Sequence, residues 1–290
     1  MKPYRLLIAC THPVQYAAPW FRHLAALAGI EIMVWYAMLP DSCQQGTGFG
    51  KAFTWDLPLL HGYPWECLGN TARHPGLDSF FGTRLDGVQV ALDKLSPDAV
   101  LVTGWHQWSL VQIALTASRK GIPIIVRGES NDIAVRPAWK RYLQRHFLGL
   151  FHSCLYIGKA NKEFYLSRRV PSTALFYCPY FVENQRFQQD AVGAHGAAES
   201  LRAGWGAAEK DTVFVFVGKL QRKKCPHHLL KAFVDARSRG GGMVLVFIGD
   251  GEMRESLERE ARQSGMPIQF PGFINQHEIG RYYQAADCLV

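Results

Sequence analysis

Along this chain, short apolar runs without polar alternation recur between stretches whose apolar residues fall at helical spacing. That pattern belongs to parallel strands buried on both faces and joined by crossover helices. Residues 4–10 predict a first strand, and a helix to about Ala28 follows with Trp20, Leu24 and Leu27 on one stripe. Gly29 ends that helix and residues 30–37 predict the second strand. The alternation continues with a helix at 84–95, strand 98–103, helix 107–119, strand 122–126, helix 137–150 and short strands at 153–157 and 174–178. A second alternation opens on the strand 212–217. It runs through helix 226–238, strand 244–248, a helix carrying Met253, Leu257 and Ala261 on one stripe, strand 267–270, helix 276–284 and strand 287–290. The expected class is α/β, with two tandem Rossmann-like, doubly wound parallel-sheet domains. Their expected bounds are 1–187 and 212–290, joined by an Ala-, Gly-, Gln- and Glu-rich connection at 188–211 that carries a short helix.

Two stretches leave alternatives open. Residues 40–83, rich in Gly, Pro, Trp and Tyr, predict a long functional loop whose rings either stack on sugars or pack the loop down. In helix 137–150, Trp139, Leu143 and Phe147 form one face, expected to pack on the core, with Lys140, Arg141 and Arg145 opposite. That basic side is either solvated or rests on an anionic membrane.

Composition narrows the picture. The 290 residues are 48% hydrophobic and 19% charged, which suits two folded domains rather than a disordered chain. A net charge of +8 favours anionic partners without choosing among phosphorylated small molecules, anionic lipid and nucleic acid. No aromatic-basic stacking platform or helix-turn-helix pattern is present, so nucleic acid is not an expected partner. The seven cysteines form no Cys-x-x-Cys pair, and several lie in apolar runs, which predicts buried reduced thiols and a cytoplasmic location. No apolar stretch approaches the ~20 residues that cross a bilayer. His12-Pro13 stands in the first loop where a dinucleotide site requires glycines, which argues against a nicotinamide or flavin enzyme.

The candidate chemistry sits after strand ends. Gly218 closes the strand 212–217, Lys219 and Lys224 stand in the basic loop that follows, and Pro226 opens a helix. Strand end, cationic loop and helix N-terminus seat a phosphate, or else form a solvated basic loop. Glu129 follows another strand end, beside Arg127 with which it either pairs or not, and His12 and His106 occupy equivalent positions.

Four blocks carry a family resemblance: 181–187; Phe216-Val217-Gly218-Lys219-Leu220 with Lys224; 248–252; and 270–273, followed by Glu278 and Ala285-Ala286-Asp287. Together they resemble the retaining glycosyltransferases of the two-Rossmann GT-B fold, the group 1 or family 4 enzymes. Residues 12–16, 55–60 and 127–130 resemble a narrower bacterial subgroup. The chain departs from the family in having Lys219 where arginine is usual and Cys225 where glycine is usual. The family's Pro-Ser loop and paired-glutamate motif would follow Val290, so the second domain is expected to be incomplete and its activity doubtful.

The resemblance implies metal-independent, retaining transfer of a sugar from a nucleotide-diphosphate donor to a glycan or lipid-linked acceptor. The setting would be envelope or exopolysaccharide synthesis in the cytoplasm or at the inner face of the plasma membrane, with no cofactor beyond the donor. By resemblance, Gly218, Lys219 and Lys224 hold the diphosphate and the backbone at Phe273 and Ile274 reads the base. Gly249 and Gly251 border the nucleotide, or serve only as a tight turn. Glu129 stands where many relatives have a histidine facing the reacting sugar, and His12 and His106 complete the catalytic candidates. The alternatives are a sugar-nucleotide epimerase of the same architecture and a non-catalytic nucleotide-sugar-binding or accessory protein.

Overall fold

The computed structural model describes residues 2–192 and 195–290, which form two compact units. Unit 1 holds the chain up to Leu39 and Leu59–Val182; unit 2 holds Pro40–Pro58 and Glu183–Val290.

In chain order the elements begin with β1 (Tyr4–Cys10), α1 (Ala18–Ala25), β2 (Ile30–Tyr36), the short α2 (Ser42–Gln45) and β3 (Trp65–Cys67). They continue with α3 (Val88–Leu95), β4 (Ala99–Val102), α4 (Trp108–Arg119), β5 (Ile124–Arg127), α5 (Ala138–Leu148), β6 (Ser153–Tyr156), α6 (Lys159–Ser167) and β7 (Leu175–Tyr177). Seven parallel strands order as β3-β2-β1-β4-β5-β6-β7. Alternate residues of β1 face opposite ways. Leu7 joins Val100, Val126 and Ile113 in one core, and Ile8 joins Val34, Tyr36 and Phe21 in the other. Both faces of the sheet are therefore covered, as the uninterrupted apolar runs require.

Unit 2 adds α7 (Asn184–Val192), α8 (His195–Gly204), β8 (Thr212–Val217), α9 (Pro226–Ser238), β9 (Met243–Ile248), α10 (Arg254–Ser264), β10 (Ile268–Gly272), α11 (Gln276–Gln284) and β11 (Cys288–Leu289). Its parallel sheet orders as β10-β9-β8-β11. In each sheet the order reverses beside the first strand, between β1 and β4 and between β8 and β11. Loops diverge at such a switch point, and ligands bind there. The two halves make a GT-B fold.

The structure differs from expectation in several respects, beginning with α2 and β3, which lie in the stretch 40–83 expected to be loop. The expected connection is not a linker, because Ala198 and Trp205 are buried in the unit 2 core and Trp205 packs on Tyr282 of α11. Gly193 and Ala194, within that stretch, lie outside the described residues. Helix α6 had no visible period, since its buried Asn161, Phe164 and Tyr165 include a polar residue and two neighbours. Helix α5 buries its aromatic face only in part: Phe147 packs against the unit 1 core, whereas Trp139 and Leu143 are 60% and 57% exposed and Leu148 is its buried residue. Finally, of seven free cysteines only Cys10 and Cys154 are buried, so the expectation of buried thiols holds for those two.

Candidate active site

Unit 1 carries a cavity of about 490 Å³ beyond the carboxyl ends of β1, β4 and β5, at the switch point of its sheet. His12 enters from the loop after β1, His106 from the loop after β4 and Glu129 from the loop after β5. The three residues expected from their strand-end positions thus line one cavity. Tyr16, Trp20 and Tyr180 line it as well.

Burial sets the electrostatics. It pushes His12 down to about 4, helped by the positive charge His106 would carry. Burial also lowers His106, while the Glu129 carboxylate acts to raise it. His12 is therefore neutral at pH 7, with Nδ1 sharing a hydrogen bond with Thr11 Oγ1 at 2.9 Å. Tyr180 is raised, first by burial and then by hydrogen bonding to Glu129. Arg127 does not form an ion pair with Glu129 among the described residues. Its guanidinium lies 5.5 Å over the Trp20 ring and 5.0 Å over the Tyr180 ring, and Nη2 donates to the Pro179 carbonyl at 3.4 Å.

The loop bearing Glu129 is held from both sides. A Cβ on Gly128 would stand 3.1 Å from the Tyr165 hydroxyl and 3.5 Å from the Trp105 ring, so the backbone passes there only as glycine without a shift. Asn161 Nδ2 donates to the Ser130 carbonyl at 2.6 Å while its Oδ1 accepts from Ile157 N at 3.1 Å. Asp132 takes a two-point ion pair from the buried Arg168, with Nη2 to Oδ1 at 2.8 Å. Arg168 also lies 4.2 Å over the Phe164 ring and donates to Gln144. Hydrogen bonds to Arg168 hold the Asp132 carboxyl below its usual range, against the opposing effect of burial.

Asp132→Asn leaves that buried guanidinium without its counter-ion. Removing one member of a buried pair costs ~3–5 kcal/mol. Because the Asp132 side chain is 41% exposed, solvent screens the pair and the expected loss is about 1–2 kcal/mol at neutral pH. The depressed folded-state pKa stabilises above the ordinary Asp range, and this contribution disappears as pH falls through the folded value. Urea midpoints of wild type and variant should therefore differ at neutral pH and converge in acid.

Unit 2 carries the remaining candidate residues. The loop after β8 leaves at Gly218, and α9 begins at Pro226. Lys224 is exposed, at the end of a 3-10 turn. Cys225 follows at φ 53, a left-handed conformation that favours glycine, the residue the family usually carries there. A Cβ on Gly249 would stand 1.9 Å from the Gly218 carbonyl oxygen, and one on Gly251 would stand 2.7 Å from that of Leu220. These two glycines let adjacent loops lie in contact, a packing task. Asp250 accepts from Arg254 Nη1 at 2.8 Å and from Gly251 N at 3.0 Å.

Lys219 is engaged by the segment Pro40–Pro58. Its ammonium donates to the Thr47 carbonyl and lies 4.7 Å over the Phe49 ring. Phe273 meets Phe49, Phe53 and Trp55 at centroid distances of 5.0, 4.3 and 6.2 Å. Ile274 packs against the unit 2 core. Asp56 accepts from the backbone N–H groups of Gln276 and His277, at 3.0 and 3.1 Å, and so caps α11. For residues 40–58 the packing alternative holds: the aromatic residues fasten this strap onto unit 2. Period-based reading missed Tyr16, Tyr180, Asp132, Asp56 and Thr47, whose roles depend on distant partners. Tyr180 carried a positional signal, standing just past a strand's carboxyl end, and Tyr16 and Asp56 lie inside the blocks 12–16 and 55–60 that carry the subgroup resemblance. Among the described residues no cluster of three or more His, Cys, Asp or Glu is arranged to hold a metal ion.

Residues 198–290 match the family model of glycosyl transferases group 1. Over 181 residues the chain is 25% identical to a Campylobacter jejuni alpha-1,4-N-acetyl-D-galactosaminyltransferase that acts on a GalNAc-containing diNAcBac-PP-undecaprenol, covering 61% of this chain and 45% of that protein. The chain thus spans less than half the length of that curated relative. Anabaena HepE in complex with UDP superposes with a TM-score of 0.66 at 13% identity, covering all of this chain and 73% of that one. A UDP-N-acetylglucosamine 2-epimerase from Rickettsia bellii gives 0.61 at 11% identity, covering 99% and 74%. At those identities the two structural likenesses are of fold alone.

Proposed function

Because residues 198–290 match the group 1 glycosyl transferases within a GT-B fold, we propose that this chain transfers a sugar from a nucleotide-diphosphate donor to a glycan or lipid-linked acceptor. The observation that carries the reading is the β8–α9 loop, where Lys219, Lys224 and a helix start gather inside the matched region. In sugar transfer the bond from the anomeric carbon to the diphosphate breaks, and negative charge grows on the leaving group. Lys219 and Lys224, with the N-terminus of α9, stabilise that charge without a metal ion. The backbone at Phe273 and Ile274 reads the base. In unit 1, Glu129 stabilises an oxocarbenium-like centre or orients the acceptor hydroxyl, and His12, neutral at pH 7, accepts a hydrogen bond from it, beside His106. The product keeps the donor's anomeric configuration, and the acceptor belongs to envelope or exopolysaccharide synthesis at the cytoplasmic side.

An epimerase shares the fold but needs acid and base carboxylates at its reacting carbon. Among the described residues lining the unit 1 cavity, Glu129 is the one carboxylate, which favours transfer. Calorimetric titration with UDP and GDP in excess EDTA tests the donor half: binding of one of them is expected, and binding of neither contradicts the reading.

Helix α5 supports a finer proposal, peripheral contact with an anionic membrane. Its exposed Trp139, Tyr142 and Leu143 continue the exposed Ile133 and Val135, next to Lys140, Arg141 and Arg145. Apolar rings beside basic groups suit the headgroup region. No described helix is long and apolar enough to cross a membrane. With ~1 kcal/mol per basic residue near such a surface, reversing all three charges to glutamate should cut co-sedimentation with phosphatidylserine vesicles by tenfold or more. Binding to pure phosphatidylcholine should stay low for both proteins.

A further inference from the structure

The segment Pro40–Pro58 arises in the first half of the sequence yet is built into unit 2, against the loop that follows β8. Gly48 lies flat on that loop: at φ +82, a Cβ there would stand 2.6 Å from Gln221 Nε2 and 3.1 Å from both Cδ and Nζ of Lys219. The Thr47 carbonyl accepts from the Lys219 ammonium, and the Phe49 ring lies 4.7 Å beneath it. The strap is fixed at its other end, where Phe53 and Trp55 surround Phe273 and Asp56 caps α11. It also organises itself, since Asp41 and Gln44 form a capping box and Gln45 joins the Pro40 carbonyl to Trp55 N.

We propose that Thr47 and Phe49 are positioning residues of the donor-diphosphate site, holding the Lys219 ammonium in place before the nucleotide arrives. Lysine has one of the most rotamer-rich side chains, and ordering it beforehand leaves less entropy to lose on binding. An ammonium carries three N–H donors, so the carbonyl contact is compatible with phosphate contacts. The aromatic face attracts the cation. The inference rests on reading Lys219 as a diphosphate contact.

The test titrates UDP and GDP into wild type, Phe49→Leu, Phe49→Trp, Phe53→Leu and Lys219→Met, each with its melting temperature. Leucine at 49 keeps apolar bulk but removes the quadrupole, and should weaken binding about two- to fivefold. Tryptophan should restore it. Phe53→Leu loses a ring that packs on Phe49 and Phe273 but does not itself face Lys219, and should lower the melting temperature while weakening binding less than Phe49→Leu does. Wild-type or tighter affinity in Phe49→Leu overturns the positioning role, as does equal weakening by Phe53→Leu. If wild type binds neither nucleotide, or Lys219→Met binds as well as wild type, the donor-site reading fails and this inference falls with it.

Discussion

Replacing Lys219 by methionine is expected to slow sugar transfer by about 10²- to 10³-fold, the usual effect of removing one fixed group that neutralises transition-state charge. Methionine keeps most of the apolar stem while removing the ammonium that lies over Phe49, so the variant should melt close to wild type. The loss should appear in both nucleotide affinity and turnover, because the diphosphate is charged when bound and more so as it departs. Lys219→Arg should recover much of the activity, since arginine keeps the charge and adds a fork that holds phosphate at two points. Lys224 is exposed at the end of its turn, and its replacement should cost less.

Glu129→Gln is expected to reduce turnover by about 10²- to 10³-fold, within the span of side chains that act on a proton or charge at the reacting centre. Glutamine preserves shape but not charge. Nucleoside diphosphate affinity should be unchanged, because the β8–α9 loop belongs to the other unit. A second readout separates this from a folding defect. Hydrogen bonding to Glu129 contributes to the raised value of Tyr180, so an ultraviolet pH titration should detect a tyrosine ionising at lower pH in Glu129→Gln. Equal turnover in the two proteins would remove Glu129 from the reaction.

Much of this layout was legible because parallel strands buried on both faces advertise themselves. The runs at β1 and β8 were read directly, and their reversal of strand order explains why residues just past strand ends, such as His12 and Glu129, fall in the unit 1 cavity. Helix α6 was not legible: its value lies in Asn161 and in Arg168 at its end, which hold the Glu129 loop by polar contacts that no hydrophobic period encodes. Nor was the strap. Asp56 and Thr47 interact with residues more than a hundred and fifty positions away, at 276–277 and 219, and spacing along a chain carries no trace of such pairs. Helix α5 misled for the opposite reason, since an apolar stripe shows that a face avoids water without naming what covers it.

The most direct measurement incubates the protein with UDP- and GDP-sugars labelled in the sugar, together with membrane lipids from the native cell, and follows the label. Label in a new glycoside, with the donor's anomeric configuration and undiminished by EDTA, is the expected result. Label remaining in a free nucleotide sugar of altered configuration would mean epimerisation instead, and label left entirely in the original donor would contradict sugar transfer by this chain.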